Sequence, residues 1–182
     1  MARINAIDPT QAAGQARLLL DAVKAHLGIT SNLVKTMAVA PAALEGLLQL
    51  DASLQAGVLD APFREQIALA VAQVNACEYC LSAHCVLGAR AGLNPDAIAG
   101  SRIARATGAK REAGLKFAQT VVVQRGEVSD ATFATVRKAG YSDAEIVEIV
   151  ANVALNVFTN YFNLVAQTDI DFPRVGLDLA RV

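Results

Sequence analysis

The sequence predicts an all-α fold, a single-domain bundle of roughly eight or nine helices over residues 1–182. Glycine and proline separate segments in which apolar residues recur every three or four positions, the spacing of one helix face. Valine and isoleucine seldom alternate with polar residues at the period of two that a half-buried strand requires. The length of the chain fits one hydrophobic core.

The first half of the chain is predicted to form four helices, each with a recognisable start or stop. Serine, threonine and aspartate cap exposed amides at helix starts, proline is tolerated in a first turn, and glycine favours a helix end. The expected ranges, with their caps and stops, are 10–28, 30–39, 41–57 and 60–74. Apolar residues at helical spacing are expected to face inward: Leu18, Leu19, Val23 and Leu27 in the first helix, and Leu44, Leu47, Leu48 and Leu54 in the third.

The second half is predicted to form the remaining helices. Asn75 is expected to cap the first of them together with Glu78, and Ser142 with Glu145 forms a full capping box at the start of the last and longest. The expected ranges are 75–92, 94–107, 110–126, 129–138 and 142–167. The residues expected to face inward are Leu115, Ala118, Val122 and Val123, then Ile146, Ile149, Val150, Val153, Val157 and Phe158. The tail after residue 169 should pack without continuing the helix, because Pro173 interrupts it.

The composition favours a protein that associates with itself. Hydrophobic residues make up 54% of the chain and charged residues 18%, against roughly 45–50% and about 25% in average soluble domains. Few charges are left to cover an isolated monomer, so a homo-oligomer is expected. A formal net charge of −1 gives no electrostatic reason to expect binding to nucleic acid or to an anionic membrane.

The chain is expected to be cytoplasmic. No stretch of about 18 apolar residues is free of charged and strongly polar positions, so the sequence predicts no transmembrane helix. The first residues, MARINAIDPTQAAG, lack the basic and then apolar layout of a secretory signal. In a reducing compartment, two close cysteines are more often catalytic or metal-binding than a permanent disulfide.

The segment 64–93 holds the residues that could carry chemistry. Cys77 and Cys80 form a Cys-x-x-Cys motif, His84 follows Cys80 by four residues, and Glu65 precedes Cys77 by twelve. Residues three and four apart lie over one another on a helix, so the two cysteines and the histidine are predicted to form one stripe. Glu65 is predicted to lie in the first or second turn of the preceding helix.

A cysteine attacks only as a thiolate, and this motif offers two ways to form one. The positive end of the helix that begins near residue 75 favours a thiolate at Cys77 and, more weakly, at Cys80. His84, one turn after Cys80, could accept its proton, and Glu65 could orient the imidazole if the two helices pack together. The second cysteine would then close a reversible Cys77–Cys80 disulfide. Tyr79 is as well explained by packing as by a proton relay.

Two other interpretations of the motif remain open. Cysteines on an apolar helix can be buried packing residues, which is the expected role of Cys85, about 100° away from the stripe. Cys77, Cys80, His84 and Glu65 could also bind zinc, although structural zinc sites usually carry four Cys or His ligands in two separated pairs. We therefore expect no metal and no cofactor.

At these residues the sequence resembles the AhpD-like branch of the carboxymuconolactone decarboxylase family. The pattern of that branch is a glutamate, eleven residues, Cys-x-x-Cys, three residues and a histidine, which Glu65, Cys77, Cys80 and His84 match. The segments LGITSNLVKTMAVAPAALEGLL and ANVALNVFTNYFNLVAQTDIDFP also resemble the flanks of peroxidase-related members. The resemblance implies an AhpD-like helical fold, usually assembled as a homo-oligomer such as a trimer or hexamer.

The resemblance also implies an activity and a role for each residue. It implies a weak alkyl hydroperoxidase that reduces organic hydroperoxides with a dithiol or lipoyl-type reductant. Cys80 would be the nucleophile, His84 its base with Glu65 behind it, and Cys77 the resolving cysteine. Tyr79 stands where the best-known member has a second histidine. A thiol–disulfide carrier or redox-sensing oligomer is the main alternative, and the paired cysteines argue against the decarboxylase activity of the family's namesakes.

Overall fold

The computed structural model describes residues 2–178, and within that range it contains nine helices and no strand. The all-α prediction is confirmed, and most helices begin and end within a few residues of the predicted bounds. In chain order the helices are α1 Gly14–Leu27, α2 Asn32–Met37, α3 Pro41–Gln55, α4 Ala61–Val74, α5 Glu78–Arg90, α6 Pro95–Arg102, α7 Ala109–Val123, α8 Asp130–Lys138 and α9 Asp143–Ala166.

Several helix starts are fixed by the side chains that the sequence indicated. The predicted capping box of α9 is present, with the Ser142 hydroxyl accepting from the backbone of Glu145 and the Glu145 carboxylate accepting from the backbone of Ser142. The Asp60 side chain caps α4 by accepting from the backbone N–H of Phe63. The predicted start of α1 near Thr10 is wrong, because the Thr10 amide and hydroxyl both donate to Asp8 in a turn that precedes the helix.

The junction between α4 and α5 also differs from the prediction. Asn75 ends α4, Ala76 adopts a left-handed conformation with φ 53°, and Cys77 is the N-cap of α5. The predicted cap formed by Asn75 and Glu78 is therefore wrong. The sulfur of Cys77 accepts a first-turn N–H instead, and the Asn75 amide donates to Asn160 of α9 at 3.0 Å.

Helix α4 is the centre of the bundle. It packs against α5, α6, α7 and α9, and nearly all of its second half is buried. Two faces of α5 are thereby covered, one by α4 and the other by α9. This arrangement places the Cys-x-x-Cys segment between α4 and α9.

Several residues that were predicted to face inward are exposed, namely Leu18, Val123, Val150 and Phe158. Helix α9 shows the reason, because it is apolar on two sides. Ile146, Ile149 and Val153 are buried, whereas an outer stripe remains exposed and consists of Val147, Val150, Phe158, Tyr161 and Val165. The helical spacing of apolar residues identifies both stripes. It does not indicate which stripe packs against the rest of the same chain and which one stays exposed. The prediction for the side chain of Leu27 lies outside what the structure describes.

Helix α9 is also the one helix among residues 2–178 that is long and apolar enough to cross a membrane by length and composition. Half of its most apolar stretch is buried against other helices of the bundle. That degree of burial is typical of a core helix, so the length and composition of α9 are weak evidence for a membrane span.

The tail after α9 lies across α5 without forming a helix, as predicted for the part up to residue 178. Three contacts fasten it: the Tyr79 hydroxyl donates to Asp171 at 2.8 Å, the amide of Val175 donates to Ser82 at 3.0 Å, and Arg174 pairs with Glu78 at 2.9 Å. Residues 179–182, which belong to the same predicted tail, lie outside the described residues.

Gly114 of α7 is expected to tolerate no side chain. A Cβ atom there would overlap the Tyr141 hydroxyl and would lie 2.6 Å from the ring of Phe63, and neither aromatic ring can move freely in the core. We expect Gly114→Ala to destabilise the protein by about 1–3 kcal/mol in urea unfolding, as overpacking does. Gly46→Ala is the matched control, because nothing lies within 4 Å of the added atom, and it should be neutral or stabilising. Equal effects of the two substitutions would contradict this account.

Candidate active site at the start of α5

Glu65 and His84 form the outer part of the candidate site. The first lies on α4 and the second on α5, and their side chains meet at 2.8 Å between Glu65 Oε2 and His84 Nδ1. The two side chains are 22% and 20% exposed, respectively, so solvent reaches this end of the site. The side-by-side packing of two helices on which the predicted pairing depended is present.

Cys77 and Cys80 form the inner part of the site. Both are free thiols, only 1% and 3% exposed, and packed among Leu69, Ala72 and Leu81. As the N-cap of α5, Cys77 accepts the backbone N–H of Cys80 at 3.4 Å. The two sulfurs therefore share the first turn of α5, as the motif predicts, but neither faces open solvent.

The surroundings of the two sulfurs are unequal. A hydrogen bond from the Cys77 thiol is the main cause that lowers the pKa of Cys80, and it outweighs the opposing effect of burial. Asn163 of α9 contributes a second donor, with its Nδ2 3.2 Å from the Cys80 sulfur. The same shared proton, together with burial, raises the pKa of Cys77. The pair thus favours a thiolate at Cys80 and a thiol at Cys77.

This asymmetry differs from what the helix end alone would give. The positive end of α5 favours Cys77 more than Cys80, and the Cys80 N–H does lower the pKa of Cys77 to some extent. The hydrogen bond from the Cys77 thiol to Cys80 is the main cause of the reversed order, and the donors on α9 add to it because they reach only Cys80. Sequence spacing within α5 carries no information about them.

His84 is held in a charged environment. Burial lowers the pKa of the imidazole, but the carboxylates of Glu65 and Asp51 more than offset it, so the pKa of His84 is raised overall. Within residues 2–178, His84 makes no hydrogen bond to either cysteine, and its described partner is Glu65. Glu65 therefore orients the ring through Nδ1 and leaves Nε2 free to exchange a proton.

Tyr79 and Cys85 lie outside this arrangement. The Tyr79 hydroxyl accepts from the amide of Leu33 at 3.0 Å and donates to Asp171 at 2.8 Å. Burial is the main cause that raises its pKa. These contacts join α5 to α2 and to the tail, and the relay through Tyr79 stays a prediction.

Cys85 is half-buried, and burial raises the pKa of its thiol.

Tyr79→Phe separates the packing role from the relay. We expect it to destabilise the protein by about 1–3 kcal/mol in urea unfolding, because a partly buried amide and a carboxylate lose their shared partner. Hydroperoxide turnover by the folded variant should stay within a factor of about two, since the removed hydroxyl contacts neither sulfur. A loss of turnover at unchanged stability would show instead that the phenol transfers protons.

Asn160 and Asn163 are the site residues that the motif did not indicate. Four asparagines recur every three or four positions on the core side of α9, and all are buried: Asn152, Asn156, Asn160 and Asn163. Amides in the middle of an apolar core helix are costly unless they are hydrogen-bonded or used. This periodic row of asparagines is the feature of the sequence from which a polar site on α9 could have been predicted.

The zinc interpretation finds no support in the geometry. Over the described part of the chain, no three His, Cys, Asp or Glu side chains converge as a metal site would require. The Glu65 carboxylate and the Cys80 sulfur are each engaged with other partners, His84 in the first case and Asn163 in the second.

The comparison with protein families supports the resemblance in the motif. Residues 40–120 match the model of the carboxymuconolactone decarboxylase family. This segment belongs to that family. The matched segment contains Glu65, Cys77, Cys80 and His84. A search of curated proteins finds no match.

Solved structures share the fold over nearly the whole chain. An uncharacterized peroxidase-related protein from Ralstonia eutropha JMP134, described as an alkylhydroperoxidase AhpD core, is 22% identical with a TM-score of 0.83, over 93% of this chain and 92% of the other. A peroxidase-related protein from Silicibacter sp. TM1040 is 22% identical with a TM-score of 0.76, over 93% and 94%. The AhpD-like fold is therefore confirmed.

An enzyme with a different activity has the same fold. The debrominase Bmp8, solved in complex with 2,3,4-tribromopyrrole as a cysteine-to-alanine variant, is 18% identical with a TM-score of 0.80, over 94% of this chain and 92% of the other. At these identities the likeness shows the fold and leaves the reaction to be argued from the site.

Proposed function

We propose that the protein is a thiol-dependent alkyl hydroperoxide reductase that uses Cys80 and Cys77 as a redox pair. The observation that carries this proposal is the asymmetry of the buried pair: donors from Cys77 and Asn163 converge on Cys80, while Cys77 keeps its proton. One sulfur is thereby prepared to attack and the other to resolve. Family membership and the AhpD-like fold support an enzyme of this general kind.

The reaction begins with attack of the Cys80 thiolate on the terminal oxygen of the hydroperoxide. A sulfur–oxygen bond forms, the oxygen–oxygen bond breaks, and an alkoxide leaves, so that Cys80 becomes a sulfenic acid. The Cys77 sulfur then attacks Cys80, which releases water and closes the disulfide. An external dithiol, of the lipoyl type by family resemblance, restores both thiols and is itself oxidised.

His84 and Glu65 supply the proton for the leaving alkoxide. Because the two carboxylates raise the pKa of His84, the imidazole retains a proton closer to neutral pH than an ordinary histidine would. It can receive that proton when the cysteine pair ionises and return it to the alkoxide, which leaves as an alcohol. Glu65 holds the ring in one orientation throughout.

Burial of the sulfurs favours a small oxidant over a bulky one. With Cys77 and Cys80 1% and 3% exposed, a folded partner protein cannot approach either sulfur closely. A pure thiol–disulfide carrier or redox sensor, which exchanges with protein disulfides, therefore fits less well than a peroxidase. The likeness to a debrominase makes a brominated pyrrole a useful comparison substrate.

Turnover of an organic hydroperoxide tests the proposal. The reduced protein should consume cumene hydroperoxide catalytically with dihydrolipoamide, and debromination of tribromopyrrole under the same conditions should be slower. One equivalent of hydroperoxide without reductant should leave one of the three free thiols, since two of the three enter the disulfide. Retention of all thiols, or oxidation of Cys85 alone, would exclude the peroxidase.

We also propose that the protein works as a homo-oligomer in the cytoplasm, where reductants keep the pair as thiols. The outer stripe of α9 supports self-association, because apolar residues that the chain does not cover follow one helix face from Val147 to Val165. Light scattering at micromolar concentration should give a mass that is a multiple of 19.0 kDa. Phe158→Glu should lower that mass, and a monomer in both samples would contradict the proposal.

A further inference from the structure

The C-terminal part of α9 carries polar atoms that are buried beside Cys80 and have no partner. In the described part of the chain, Asn160 Nδ2 and Asn163 Oδ1 are inaccessible and make no hydrogen bond. Such atoms commonly cost about 1–3 kcal/mol each when they are left unpaired in a core. Two of them within one turn of the same helix, next to the candidate nucleophile, require an explanation.

Each of these two amides has one end committed and the other end free. Asn163 donates through Nδ2 to the Cys80 sulfur at 3.2 Å, which leaves its oxygen unused. Asn160 accepts through Oδ1 from the Asn75 amide at 3.0 Å, which leaves its Nδ2 unused. The committed ends fix the orientation of both groups. Beside the sulfur there is therefore one free acceptor and one free donor.

Both side chains lie close to the reacting atom. Asn163 contacts the sulfur directly, and Asn160 together with Thr159 also lowers the pKa of Cys80. The neighbouring asparagines of the row are different, because Asn152 and Asn156 donate to backbone oxygens of α9 itself at 2.8 Å. Within this row, the amide atoms that are both inaccessible and unpaired belong to the two asparagines at the cysteine pair.

We propose that Asn160 and Asn163 form the subsite that binds the two oxygens of the hydroperoxide, an inference that rests on the proposed peroxidase function. A hydroperoxide has one O–H donor, which suits the oxygen of Asn163, and oxygen lone pairs, which suit the N–H of Asn160. The terminal oxygen is then held against Cys80. The subsite thus offers one acceptor for the O–H hydrogen and one donor for the oxygen lone pairs of the hydroperoxide.

The subsite also contributes to the bond-breaking step. As the sulfur–oxygen bond forms and the oxygen–oxygen bond breaks, negative charge develops on the oxygen that carries the alkyl group. A donor from Asn160 stabilises that oxygen in a site without competing water. The hydrogen of the O–H group stays on the terminal oxygen, so that Cys80 becomes a sulfenic acid and the alkoxide takes its proton from His84.

Two reactions of the same reduced protein separate this role from simple support of the thiolate. Iodoacetamide and cumene hydroperoxide both react with the Cys80 thiolate, but only the second presents an O–O–H group. Because Asn160 also lowers the pKa of Cys80, both rates are compared at a pH at which Cys80 is fully ionised. We then expect Asn160→Leu, with Cys85 replaced by serine, to slow peroxide oxidation about 10²-fold and to change the alkylation rate by less than about threefold. Asn160→Ala serves as the second variant if the leucine substitution prevents folding.

Asn152→Leu is the matched control, because it removes an equally buried amide of the same row whose partner is a backbone oxygen. Both of its rates should equal those of the parent protein. Parallel losses of peroxide and iodoacetamide reactivity in Asn160→Leu, or no loss in either, would overturn the subsite. A parent protein that alkylates normally but never reduces hydroperoxide would reject the peroxidase itself, and the subsite with it.

Discussion

Cys80→Ser should reduce hydroperoxide turnover to the rate observed without protein. The structure gives Cys80 the donors that favour a thiolate, from the Cys77 thiol and from Asn163. A serine hydroxyl in the same place stays protonated near neutral pH and cannot attack the peroxide at a comparable rate. Removal of a covalent nucleophile typically costs several orders of magnitude, about 10⁶-fold in a well-studied protease.

Cys77→Ser should behave differently from Cys80→Ser. Its Cys80 can still attack one equivalent of hydroperoxide, because the nucleophile remains and only the resolving thiol is missing. We expect one rapid turnover, trapping of a sulfenic acid by dimedone, and then arrest. Cys85→Ser should retain full activity, since burial raises the pKa of that thiol and the hydrogen bonds that join the site residues do not involve it.

Stopped-flow oxidation and mass spectrometry would measure these outcomes on the three single variants. The informative comparison is between the two motif cysteines. A burst in Cys80→Ser and none in Cys77→Ser would show that the helix end, which favours Cys77, outweighs the donors from α9. The roles of the two cysteines would then have to be exchanged.

The local part of the site could be predicted from the sequence. Cys77, Cys80 and His84 lie within eight residues of one another, so helix geometry alone relates them. The contact between Glu65 and His84 followed from the family pattern together with the assumption that neighbouring helices pack. The caps Asp60 and Ser142 also depend only on nearby residues, and both are present.

The long-range part of the site could not be predicted. Asn163 reaches Cys80 across 83 residues of sequence, and no local pattern says which helix will lie against α5. The break at Ala76 has a similar origin, because a left-handed alanine is unfavourable by itself and is held by the structure around it. These long-range contacts lower the pKa of Cys80 beyond the effect of its hydrogen bond from Cys77.

His84→Ala should slow hydroperoxide reduction by about 10²–10⁴-fold, the usual cost of removing a general acid or base. The imidazole lies in contact with Glu65 at 2.8 Å, carries a raised pKa and is 20% exposed, so it can exchange protons with solvent. Its positive charge also lowers the pKa of Cys77 to some extent. Because Cys77 and Cys80 share one proton, a charge beside either sulfur acts on the first ionisation of the pair. We therefore expect the pair that reacts with iodoacetamide to titrate at a higher pH in the variant.

Glu65→Gln should change the pH dependence in a direction that follows from the same contacts. The carboxylate raises the pKa of His84, so its loss should let the imidazole lose its proton at a lower pH. If protonated His84 protonates the alkoxide, the alkaline decline in hydroperoxide reduction should move to lower pH in Glu65→Gln and disappear in His84→Ala. Rates would be measured from pH 5 to 9 in proteins with Cys85 replaced by serine.

Glu45→Gln is the control for the loss of a carboxylate. Glu45 pairs with Gln15 on the surface of α3 at 2.6 Å, so its replacement changes the net charge as Glu65→Gln does but should leave both pH profiles unchanged. An unaltered profile in both His84→Ala and Glu65→Gln would remove these residues from the reaction. The donors on α9 and the Cys77 thiol would then be left as the means by which the fold activates Cys80.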